Sequence, residues 1–191
     1  MGSGRGAEEA SRARVQCAWA KFRELPTLMT ARGASLKVKG KLYSLYAQCV
    51  MMYGSKIWAM KVEDMQRLQR AEKMIRWMCG VTLKDGKTSE ELRERLDVVS
   101  VSKRVRQNRL RWFGHVERKD EDDWISACRD LSVAGEKGRG RRRTTWKECV
   151  ADDMRKMELR REDAQDRVLW KNSILGNRPT RASAETRTLK R

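Results

Sequence analysis

The stretch Lys41–Trp58, KLYSLYAQCVMMYGSKIW, decides the fold class. Leu42, Leu45, Tyr46, Cys49, Val50, Tyr53 and Ile57 recur there at three- and four-residue steps, which draws an apolar stripe along a helix and not the alternation of a strand. The spacing predicts that this helix, over 42–57, is the buried centre of its unit. Before it, Val15, Trp19, Phe22 and Leu25 trace a shorter amphipathic helix that ends near Pro26. After it, Met65, Leu68, Ile75 and Met78 carry the same period to Gly80, the residue type that closes helices. A three-helix unit over about residues 8–80 is the expectation.

A second helical unit is expected over 88–175. Thr88 and Glu91 have the spacing of a capping box, so a short helix starts there and runs through Leu96. A longer helix follows from about Ser102 to Arg118. Its apolar stripe is Val105, Trp112 and Val116, and Arg104, Gln107, Arg111, His115 and Arg118 fall on the other side within an arc of roughly 80°. Short helix, turn and basic helix together have the layout of a helix-turn-helix, a corner that many bundles also contain. A short helix around Trp124–Leu131 precedes a glycine-rich basic loop at 135–143, Thr144 or Thr145 caps the next helix, and REDAQDRVLWKNSIL, from Arg161 to Leu175, supplies the last. The polar, basic tail 176–191 is expected to be disordered. Only two prolines occur in 191 residues, and no alternating Val/Ile/Thr run appears, so the reading is all-α.

Charge names the partner class. Lys and Arg number 44 against 26 acids, a formal net charge of +18. Such an excess suits a polyanion, because each cation placed on a phosphate releases condensed counterions. Nucleic acid is therefore the expected partner, through its phosphate backbone. No stretch approaches the roughly 18 apolar residues of a spanning helix, and no signal peptide or myristoylation pattern opens the sequence, so no membrane is expected. Five widely spaced cysteines without a C-x-x-C read as free thiols, apolar in role, in an intracellular compartment, nucleus or cytoplasm.

Candidate chemistry is thin. Asp152 and Asp153 in VADDM echo the paired aspartates of polymerase metal sites, but Trp146, Val150, Met154 and Met157 give that segment a helical period, which puts the pair on an exposed helix face. Asp120, Glu121, Asp122 and Asp123 are too close in sequence to converge on one ion and read instead as a cap for the Trp124 helix. His115, the single histidine, has no nucleophile or spaced carboxylate beside it and reads as a structural bond at a helix end, with phosphate contact as the second reading. No catalytic residue, metal site, cofactor or small-molecule substrate is expected. The surviving signal is basic: Arg104, Arg111 and Arg118 on the helix, and Lys137, Arg139, Arg141, Arg142 and Arg143 in the loop. These can neutralise phosphates without reading bases. For the helix, a solvated charged face competes with that role; in the loop, so dense a cationic run repels itself unless an anion is near.

Six segments in order, AWAKFREL, MMYGSKIWAM, LQRAEKMIRWMCGV, RLRWFGHVERKDEDDW, RGRRRTTWKECVADDMRK and GNRPTRASAE, give the chain a resemblance to the C-terminal part of LINE-type, non-long-terminal-repeat retrotransposon reverse transcriptases. It spans Arg12 to Glu185. The resemblance implies a thumb followed by post-thumb helices, with the catalytic palm absent or supplied elsewhere. The thumb would hold a primer-template duplex and the later helices would grip template RNA or target DNA, without polymerase activity in this chain. Departures from the family pattern are Ala47, Gln48 and Cys49 in place of V-R-P, Lys56 and Ile57 within G-S-E-T-W, and Arg142 within R-G-R-P. They are marks of drift, which keep open a decayed fragment without selected function. A helical protein-interaction module is the third alternative.

Overall fold

The computed structural model describes residues 3–31, 33–120, 122–125 and 144–177. It is helical, with no strand among the described residues. The all-α reading holds. Two compact units divide the chain, Met1–Arg106 with Arg143–Trp146, and Gln107–Arg142 with Lys147–Arg191.

The first unit opens with α1, Ser3–Glu24, followed by a short α2, Pro26–Thr30, whose proline stands in the first turn, where its missing N–H costs nothing. Then come α3, Leu36–Tyr43, capped by the Ser35 hydroxyl, a π-helical turn at Ser44–Gln48, and α4, Cys49–Met51. α5, Val62–Ala71, and α6, Met74–Cys79, are separate helices where the sequence period suggested one. Gly80 closes α6 in the left-handed conformation, φ 64°, as expected. α7, Ser89–Leu96, starts at Thr88, whose hydroxyl accepts the Glu91 N–H at 3.1 Å.

The break after α5 has a visible cause. Glu72 turns inward, accepts the Val101 N–H at 3.0 Å and pairs with Arg93 at 2.9 Å. It thereby caps the start of α8, Val101–Glu117, from 29 residues away. Burial pushes the Glu72 carboxyl above its ordinary range, against the opposing pull of that N–H and of Arg93.

Two expectations change here. The stripe Leu45, Tyr46, Cys49, Tyr53 and Ile57 is exposed, Leu45 by 70% and Tyr53 by 68%; the buried face of this stretch is Tyr43, Ala47, Gln48 and Met51. The π turn holds more residues per turn than an α-helix and so shifts the phase of everything after it. Gly40 sets the depth of packing: a Cβ there would lie 1.9 Å from the Leu96 carbonyl oxygen, so only glycine lets α3 approach α7 this closely. Hence the expected division between 80 and 88 is not where the units part. Leu92 and Leu96 of α7 and Val98 are buried in the same cluster as Phe22, Met51 and Met78.

The second unit takes most of α8, then α9, Trp146–Lys156, from its second residue on, and α10, Arg167–Leu175. Asp166 caps α10, accepting the Val168 and Leu169 N–H groups at 2.8 and 3.0 Å. Leu110, Val116, Val150, Leu159, Trp170 and Ile174 are buried. Trp170 donates its indole N–H to the Leu110 carbonyl at 2.9 Å, beside Gly114, where a Cβ would meet the indole nitrogen at 2.3 Å. The basic loop 135–143, most of the expected Trp124–Leu131 helix, and the tail beyond Asn177 lie outside the described residues.

Candidate nucleic-acid interface

α8 positions the described cations of the predicted set, and they differ in kind. Arg104, in the first unit, is half-buried and pairs with no carboxylate among the described residues. Arg111, in the second unit, is exposed, and among the described residues its guanidinium meets only the Asn108 side-chain oxygen, at 3.4 Å. Arg118 is committed: it is half-buried and donates to the Ala164 carbonyl at 2.5 Å. Gln107, placed by the sequence on the same arc, is buried and donates to the Ile174 carbonyl at 3.3 Å. The arc is thus split by its environment into free and structural members. Lys137, Arg139, Arg141, Arg142 and Arg143 lie outside the described residues.

Arg109 and Arg161 of the second unit are paired with buried carboxylates. Arg109 meets Asp153 at 2.7 Å with both side chains nearly buried, and Arg161 meets Glu117 at 2.7 Å. The first pair corrects the reading of VADDM: Asp153 faces inward on α9, and only Asp152 stays on the surface, beside Arg155 at 3.1 Å. Among the described residues no group of three or more His, Cys, Asp and Glu side chains converges as metal ligands would.

The acidic turn behaves as a cap. Asp123 accepts the Ile125 N–H at 3.0 Å and pairs with Lys119 at 2.9 Å. The Ile125 bond first, then Lys119, holds the Asp123 carboxyl below its ordinary range. His115 is exposed on α8 and lies against Trp112, ring centres 5.3 Å apart, and hydrogen-bonds no described residue. Trp112 is half-buried, so it is a partial member of the apolar stripe. Cys17 and Cys49 are exposed, against the expectation of core thiols, whereas Cys149 is buried.

The first unit also holds a groove that the apolar periodicity of the sequence does not announce. It has a volume of about 870 Å³ and is lined by the C-terminal half of α5, by α6, by the Gly80–Leu83 connection and by α7. Arg70, Lys73 and Arg76 border it, together with Trp77, which is 63% exposed. Its trace in the sequence is a three-residue spacing of cations ending beside a tryptophan, RAEKMIRW. No helix among the described residues is long and apolar enough to cross a membrane. No protein-family model, characterised protein or solved structure matches this chain.

Proposed function

We propose that this chain is a nucleic-acid-binding module, derived from the thumb and post-thumb region of a LINE-type reverse transcriptase, that grips phosphate backbones without polymerase activity of its own. The observation that carries the reading is the formal charge of +18. Arg104 and Arg111, which no described carboxylate neutralises, are consistent with it. The proposed contacts are Arg104 and Arg111, with Arg118 in a secondary place because its guanidinium already serves Ala164. From the sequence they include Lys137, Arg139, Arg141, Arg142 and Arg143. Origin in the retrotransposon family rests on the six ordered segments alone, and a palm from another chain would be a partner on that view. The compartment that follows is the nucleus or cytoplasm.

Anisotropy of a labelled duplex, titrated with the pure protein over a range of salt, tests the proposal. Log affinity should fall linearly with log salt, by about 0.9 per phosphate neutralised on duplex DNA. Replacing Arg139, Arg141, Arg142 and Arg143 by alanine should flatten that slope for every sequence alike, and His115→Ala should leave it unchanged. Absence of salt-sensitive binding to duplexes and single strands would overturn the proposal. The exposed stripe of Leu45, Tyr46, Tyr53 and Ile57 then favours the second reading, a protein-interaction module. Primer extension by the pure protein, lost on Asp152→Ala, would contradict the absence of polymerase activity.

A further inference from the structure

The groove beside α6 combines three features that a phosphate grip does not need. Its floor is apolar, with Ile75, Val81 and Leu92, and its volume lies in the range of small-molecule sites, about 300–1,000 Å³. Trp77 projects as an exposed ring that is nevertheless held: Trp19 meets it edge-on, ring centres 6.0 Å apart at 76°, and Phe22 lies 6.4 Å away. An indole fixed by its neighbours and open to solvent is a stacking platform already in place.

The charge around it has one sign. Arg70 and Lys73 are exposed and pair with no carboxylate among the described residues. Arg76 donates through Nη2 to the Lys87 carbonyl at 2.8 Å, which fixes its guanidinium, while its Nη1 is buried without an acceptor among the described residues. The acid on the groove, Glu72, is consumed by Arg93 and the Val101 N–H. Gln66 and Gln69 add side-chain amides, each able to donate and accept. An aromatic platform, uncompensated cations and amides within one concavity suit a ligand with a flat heterocycle and an attached anion.

We infer that this groove takes one unpaired nucleotide of a single strand, its base stacked on Trp77 and its phosphates held by Arg70, Lys73 and Arg76. The inference rests on the nucleic-acid reading and deepens it. A base within a duplex has both faces covered and cannot reach Trp77. The groove therefore selects single strands, or ends and loops, over helices.

The test compares a labelled single-stranded RNA with a labelled blunt hairpin of equal phosphate number whose loop is a baseless polyether linker, so that it offers no unpaired base, on the full chain and on Trp77→Ala, Trp77→Phe and the double variant Arg70→Ala/Lys73→Ala. Trp77→Ala should weaken single-strand binding by about 5- to 160-fold, the range that base–aromatic stacking supplies, and change hairpin binding less than about twofold. Trp77→Phe should recover most of the loss. The double variant should weaken the single strand and reduce its salt slope. Thermal melting of each variant reports its folding, and Trp77→Phe, which keeps a ring against Trp19 and Phe22, carries the comparison if the alanine variant melts early. Equal single-strand affinity in wild type and both Trp77 variants would overturn the groove alone if the hairpin still binds with a salt slope. Loss of both ligands in equal measure from a folded variant would overturn it too. Failure of every nucleic acid to bind wild type would remove the nucleic-acid reading itself.

Discussion

Gly114→Ala should destabilise the second unit, although the rule for helix interiors predicts the opposite. In the middle of a helix alanine is favoured over glycine by about 0.8–1.0 kcal/mol. At this position the new Cβ would stand 2.3 Å from Trp170 Nε1, 2.6 Å from its Cδ1 and 3.0 Å from Arg118 Nη1. Carbon contacts are comfortable at about 3.5–4.0 Å, so the indole has to withdraw by more than about 1 Å. Trp170 is 2% exposed and cannot withdraw without breaking its bond to the Leu110 carbonyl. Overpacking costs about 1–3 kcal/mol, and a buried donor left without its acceptor about 1–3 kcal/mol. Set against the helical gain, the net loss is about 1–5 kcal/mol, which for a unit of this size lowers the melting temperature by roughly 4–40 °C. Urea unfolding of wild type and variant gives the difference, and exchange of the Trp170 indole proton shows whether its bond has opened. A second change, Trp170→Leu, removes the ring that alanine strikes, so adding Gly114→Ala to that background should cost less than in wild type. An alanine variant as stable as wild type or more so, with the indole proton still protected, would refute the packing argument.

Asp153→Ala should cost about 3–5 kcal/mol, because it strands the buried Arg109 guanidinium, whereas Arg109→Met with Asp153→Leu should be far milder; urea titrations of both variants decide this. Tyr43→Phe should leave stability unchanged or raise it by about 1 kcal/mol, since the Tyr43 hydroxyl is buried without a partner among the described residues; thermal melting reads the sign. Leu45→Ala should cost less than about 0.5 kcal/mol, because its side chain is 70% exposed, and a loss of several kcal/mol would show the stripe to be buried after all. Glu72 has a folded pKa above its unfolded one, so the stability linked to it is complete below the ordinary glutamate value of about 4.3 and declines as pH rises through the folded value. Glu72→Gln should flatten the pH dependence of the melting temperature in that window, and an unchanged profile would place the titration on another group.

Helix starts and stops were legible because their causes are local. Thr88 serves a backbone N–H three residues on, and Gly80 closes a helix on itself. The orientation of the decisive stretch was not. Leu42, Leu45, Tyr46, Cys49 and Tyr53 form a longer apolar series than Tyr43, Ala47 and Met51, yet the shorter series faces the core. What decides between them is the π turn at Ser44–Gln48 and the glycine contact between α3 and α7, and the second of these joins residues 40 and 96. A helical wheel holds no information about a neighbour that far away in sequence. The same limit moved the unit boundary: α7 looked like the start of something new because its capping signal is strong, while the partners of Leu92 and Leu96 lie upstream.

The basic residues expose a related limit. A cation is available to a phosphate only if nothing in the protein already satisfies it, and that condition depends on distant residues. Arg118 looked free by its place on a helix face, but its acceptor, the Ala164 carbonyl, is 46 residues away and has no sequence signature at all, since every residue has a carbonyl. Arg109, with its Asp153 partner 44 residues on, looked no different in sequence from Arg111 two positions later. Conversely, Arg70, Lys73 and Arg76 could pass for the solvated back of a helix, because the groove beside them forms only once α7 and the Gly80–Leu83 connection are in place. Sequence charge therefore ranks the class of partner well and ranks individual arginines poorly. The order of effects expected on binding follows the fold: Arg111 ahead of Arg118, because removing Arg118 also removes a bond inside the second unit and so confounds affinity with stability. Arg118→Lys, which keeps the charge but not the planar fork, should separate the two. The lysine variant should keep its salt slope in either case, because the charge that releases counterions is unchanged; lost stability marks the Ala164 bond, and unchanged stability would mean that Arg118 is not held there and faces phosphate after all.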